Sequence, residues 1–145
     1  MNFRFALAAV LSLREGLEER AQLRLERTQL EISHCRQALE MVPELQRAVL
    51  SMRERQLAAA TPAAELHFQE RTRQGLRARA RALQGHLSEL LQTREQQLEA
   101  YQAARRDRQA LSELRDRQLL EFEARLARQQ QRRADDQFLS NSRRG

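Results

Sequence analysis

The chain has 145 residues, of which 41% are hydrophobic, with only 4 Gly, 2 Pro and 4% aromatics. So few turn formers and bulky side chains exclude a many-element globule, and the apolar content suffices for a seam but not for a multilayer core. All 26 basic residues are Arg and the formal net charge is +6, a balance that favours an acidic partner or surface without specifying a fold. A single Cys excludes an internal disulfide framework and fits a reducing compartment.

Residues Met1 to Leu13 carry Arg4 followed by an apolar run, the order of a short signal peptide. The run passes directly into Arg14-Glu15 without a small-residue cleavage site. It is also shorter than the roughly 20 apolar residues a membrane span requires. It reads instead as the first turns of a helix with Phe3, Leu7, Val10 and Leu17 on one face. Between Leu17 and Leu25 the spacing loosens to fours through Ala21, which relaxes a supercoil.

From Leu25 the pattern is regular. Leu25, Thr28, Ile32, Cys35, Leu39 and Val42 follow at alternating steps of three and four, the a/d seam of a coiled coil. Ala80, Leu83, Leu87 and Leu90 repeat it further along. If the chain folds back near Thr61-Pro62, antiparallel neighbours have position numbers summing to about 122, because both helices rise equally per residue. Val42 then faces Ala80, Leu39 faces Leu83, Cys35 faces Leu87 and Ile32 faces Leu90. Continued towards the termini, the register sets Val10 near Leu111 and Phe3 near Leu119. Two stripes read separately stay in step, which predicts an all-α fold: a long two-helix antiparallel coiled-coil hairpin forming a single domain over residues 1–145.

Pro43 interrupts the first arm at a cost of about 3 kcal/mol in a helix interior, but apolar residues resume at Leu45 and Val49, so a kink is expected and not an end. Thr61 suits a helix cap and Pro62 a first helical position. The expected elements are helix 1 over about 3–58, a turn at about 59–62, helix 2 over about 62–133 and a flexible tail over 134–145. In this register the first arm runs out opposite Leu119, leaving Phe122 and Leu126 on an unpaired overhang.

No phosphate loop, acid pair in a pocket or nucleophile with its base can be assembled, so the chain is read as non-enzymatic and without a cofactor. His34, Cys35 and His86 fall near one another, but Cys35 belongs to the seam and a fourth zinc ligand is missing, so no metal site is assigned. The arginines from Arg71 to Arg81 encircle the helix instead of forming a stripe. With acids interspersed and one tyrosine for stacking, nucleic acid is not the expected partner.

The opening Phe3-Arg4-Phe5-Ala6-Leu7-Ala8-Ala9-Val10-Leu11-Ser12-Leu13-Arg14-Glu15, followed by Glu18, Glu19 and Ala21, resembles the start of the flagellar FliJ family. The long Arg- and Gln-rich second arm with Ala134-Asp135-Asp136 near its end is similar to that family too. Stalk proteins of virulence-type secretion systems share the architecture. The resemblance implies a stalk and chaperone-handling component of the bacterial flagellar type III export apparatus. Such a stalk inserts into the hexameric export ATPase, links it to the membrane export gate protein and meets export chaperones. It would be cytoplasmic, peripherally associated with the inner face of the cell membrane at the basal body. On this reading Phe122, Leu126, Arg125 and Arg128 meet the ATPase ring, and Leu66 and Phe68 meet the export gate. The alternative from another class is a basic coiled-coil adaptor or nucleic-acid-binding protein.

Overall fold

The computed structural model describes residues 2–59 and 62–145. Two helices, α1 (Ala8–Ala58) and α2 (Ala63–Arg144), pack against each other as the expected helical hairpin, with no strand among the described residues. Leu, Ala, Arg, Glu and Gln dominate both segments, and all are strong helix formers. What holds helices together in water is a shared apolar face. The connection lies between Ala58 and Ala63, and the capping role expected of Thr61 falls outside the described residues. Contacts divide the chain into two compact units, residues 21–100 and residues 1–20 with 101–145.

In the 21–100 unit the expected seam is the core. Leu25, Thr28, Ile32, Cys35 and Val42 are buried and Leu39 is half-buried. Ile32, Cys35 and Leu90 form one cluster, against which Leu83, Leu87 and Leu91 pack. The Cys35 thiol donates a hydrogen bond to the Leu83 carbonyl at 3.3 Å, and the Thr28 hydroxyl donates to the Arg24 carbonyl at 3.2 Å. Both polar groups thereby enter the seam with a partner. Pro43 lies inside α1 without ending it. Its ring is exposed while Val42 beside it is buried, so the missing donor leaves the seam intact. Beyond Val42 the same spacing continues through Gln46, Val49, Arg53 and Gln56, all half-buried although three of the four are polar.

The unit formed by residues 1–20 and 101–145 corrects the sequence reading at several points. Helix α1 begins at Ala8 and not near residue 3, its first turn anchored where the Ala8 amide donates to the Phe5 carbonyl at 3.2 Å. Leu11 is buried, whereas Leu7, Val10 and Leu17, assigned to the inner face, are each close to 40% exposed. The reason lies in the heptad phase: stepping back from Leu25 by four and three gives Ala21, Glu18, Arg14 and Leu11. The spacing therefore does not loosen near Ala21. Two of its positions are charged, and an apolar search passes over them.

At the far end of this unit the Phe3 ring packs on Phe122, centroids 5.7 Å apart with the planes at 50°, one turn beyond the Leu119 that the register set near it. Phe122 and Leu126 are half-buried, which removes the expected overhang at these two residues. Every residue from 127 onward is exposed, and α2 continues to Arg144 where a flexible tail from 134 was expected. Arg, Gln and Ala fill this stretch, and their helix propensity carries the backbone without tertiary support.

Candidate partner-binding surfaces

The turn end of the 21–100 unit exposes a group of large apolar side chains. Phe68 is 71% exposed, and Met52 and Leu57 are each more than half exposed. Leu66 is half-buried, because it occupies a seam position and turns towards α1. Phe68, two residues on, points roughly 200° away around the helix. The two residues paired in the sequence reading are thus separated, Leu66 towards packing and Phe68 towards solvent. Met52, Phe68 and Thr72 line an open groove whose floor includes Val49 and Gln69. Gln69 is 6% exposed, and neither atom of its amide has a hydrogen-bond partner among the described residues. Arg53 pairs with Glu70 at 3.5 Å and Arg73 approaches the same carboxylate at 3.8 Å, a small charged cluster beside the groove.

The other candidate residues lie on α2 within the terminal unit. Phe122 is engaged by Phe3, with Leu126 one turn further along the same half-buried side. Arg125 and Arg128 are exposed, and each lays its guanidinium back along its own helix. Arg125 Nε donates to the Glu121 carbonyl at 3.4 Å and Arg128 Nε to the Ala124 carbonyl at 3.3 Å. The structure therefore divides this set as well, placing the apolar pair inward and the arginines outward. Past them, Phe138 and Leu139 are 73% and 53% exposed. Sequence reasoning missed this adjacent apolar pair, because the surrounding Asp, Ser and Asn were read as fraying.

A second feature the sequence reading missed is the charge pair on the seam. Arg108 donates from Nε to Glu18 Oε2 at 2.6 Å and from Nη2 to Glu18 Oε1 at 3.1 Å. The side chains are only 27% and 16% exposed. The hydrogen bonds from Arg108 hold the Glu18 carboxyl below the usual carboxylate range, against the opposing effect of burial, and Glu18 in turn raises the Arg108 guanidinium. The detectable signal was spacing, since Glu18 falls on the heptad. One turn away Arg14 reaches Asp107 at 3.2 Å.

His34 and His86 are exposed while Cys35 is buried, and no group of three His, Cys, Asp or Glu is placed to hold a metal ion among the described residues. No helix is long and apolar enough to cross a membrane, again among the described residues.

Comparison with known proteins agrees with the resemblance at the N-terminus. Residues 3–145 match the family model described as "Flagellar FliJ protein". No curated protein and no solved structure matches the chain. The family match spans nearly every residue of the hairpin, so the chain belongs to the flagellar FliJ family and is a component of the flagellar export apparatus.

Proposed function

We propose that the chain is a non-enzymatic stalk that couples the hexameric export ATPase to the membrane export gate. The observation that carries this reading is that Phe68 in one unit and Phe138 in the other, 71% and 73% exposed, are the two most exposed large apolar side chains among the described residues. A bulky ring left in water in each unit suits a protein with two docking partners. The C-terminal part of α2, with Arg125, Arg128 and the exposed helix beyond, serves the ATPase. Phe122 and Leu126 stiffen its base from the packed side. Phe68, supported by Leu66, serves the gate.

Export chaperones are further partners on this reading, and the protein works in the cytoplasm at the inner face of the membrane. The flagellar family match favours this system over a virulence-type one. The deciding experiment is co-purification with the export ATPase, comparing the full chain with a truncation after Leu126 that leaves the Phe3–Phe122 contact in place. Loss of ATPase capture with the helical signal otherwise retained supports the assignment. Undiminished capture removes it.

A further inference from the structure

Towards the turn, past Val42, the seam of the 21–100 unit changes character. From residue 43 to residue 82 the one buried side chain among the described residues is Gln69, and it is polar. Its amide has no hydrogen-bond partner among those residues. The other seam positions of this stretch, Gln46, Val49, Arg53 and Gln56 on α1 and Leu66, Arg73, Leu76 and Ala80 on α2, are all half-buried. The ion pairs that Arg53 and Arg73 make with Glu70 lie in the open, with the Glu70 side chain 41% exposed, where solvent screens them. Apolar burial, the force that pairs helices in water, is concentrated on the other side of this boundary, in Ile32, Cys35, Val42 and Leu90.

The backbone is weakest at the same boundary. Pro43 lies inside α1 and removes one bond of its ladder, while Gly75 lies inside α2, where glycine is the least helix-forming residue after proline. The Cys35–Leu83 and Arg53–Glu70 contacts bracket this level and set Gly75 within about one turn of Pro43 across the seam. We propose that residues 44–74 form a tip whose two helices part and close while the central seam stays paired, hinging at Pro43 and Gly75. Parting gives up little apolar burial and returns the Gln69 amide to water, so the tip opens at a smaller cost than the seam behind it. This inverts the usual order, in which the helices of a hairpin are held best next to their connection, where the loop to be closed is shortest. Opening also frees Val49 and Leu66 beside Phe68, and so sets how much apolar surface this end presents. Its use at the gate rests on the reading of Phe68 given above, whereas the opening itself needs no partner.

The experiment is native-state amide hydrogen exchange on the full chain without any partner, read by mass spectrometry. Helices as short as 44–58 and 63–74 are marginal in water once unpaired, so parting of the tip registers as exchange of their amides. In the wild type, amides of residues 46–56 and 66–74 should exchange at least tenfold faster than those of residues 28–39 and 83–94. Gln69→Leu, which replaces the orphaned amide by an apolar group, should slow exchange in the tip at least tenfold and leave the central seam within about twofold. The double variant Pro43→Ala/Gly75→Ala, for which nothing stands within 4 Å of a Cβ at Gly75, should slow the tip as well. Equal protection of the two regions overturns the proposal. So does a Gln69→Leu chain in which both regions slow alike, since that would make the unit open as a whole. Tip exchange unchanged in the double variant overturns the hinge. Failure of Phe68 to bind the gate would remove the use of the opening and leave these exchange rates as they are.

Discussion

Arg108 grips both carboxylate oxygens of Glu18, at 2.6 and 3.1 Å, from opposite helices and at a seam position where a coiled coil ordinarily carries leucine. A bidentate pair of this kind fixes register, because a shift of either helix breaks both bonds at once. The sign of its pH dependence follows from the lowered Glu18 carboxyl. A carboxylate held below its unfolded value contributes stability above the unfolded pKa of about 4.3, and that contribution is lost as pH falls through the folded value. Thermal unfolding of the wild type should therefore decline in acid more steeply than that of Glu18→Gln, with the two converging at the lowest pH. Parallel curves from neutral to acid would show that the pair does not govern acid stability.

The Ile32–Cys35–Leu90 cluster is the best-buried apolar layer. Leu90→Ala should cost about 2–4 kcal/mol, the range for emptying a buried leucine site. Leu39→Ala and Leu87→Ala remove half-buried side chains and should fall at or below the lower end of that range. Urea unfolding of the three variants orders them. An effect of Leu39→Ala larger than that of Leu90→Ala would contradict the burial.

Gln69 is a polar residue in a seam position whose amide has no hydrogen-bond partner among the described residues. Leaving such a group buried costs about 1–3 kcal/mol, so Gln69→Leu should raise stability by up to that amount. The check is a urea midpoint that moves upward with an unchanged slope. A lower midpoint would mean that the amide is satisfied in solution.

Phe68 is 71% exposed, so Phe68→Ala removes little packing and should leave thermal unfolding within about 0.5 kcal/mol of the wild type. In an interface with the export gate the same ring would be an anchor, and its loss should weaken binding at least tenfold, about 1.4 kcal/mol. Calorimetric titration against the gate's cytoplasmic part measures this. Wild-type affinity in the variant would assign the ring no role there.

The sequence by itself determined the hairpin and the residues of its central seam. The stripes from Leu25 to Val42 and from Ala80 to Leu90 are apolar at regular spacing, and burial of apolar area is the force that pairs them. It also carried the family, through the Phe3 to Glu15 opening. Only the tertiary structure decided the terminal unit, where the seam passes through Arg14 and Glu18. A charged residue at a heptad position reads as a gap until the opposite helix brings Arg108 within hydrogen-bond reach. The same holds for Phe122, whose partner Phe3 precedes α1 and so lies outside any helical periodicity. Periodicity predicts which faces meet, whereas ion pairs and ring contacts depend on where two distant segments arrive, and that is settled by packing.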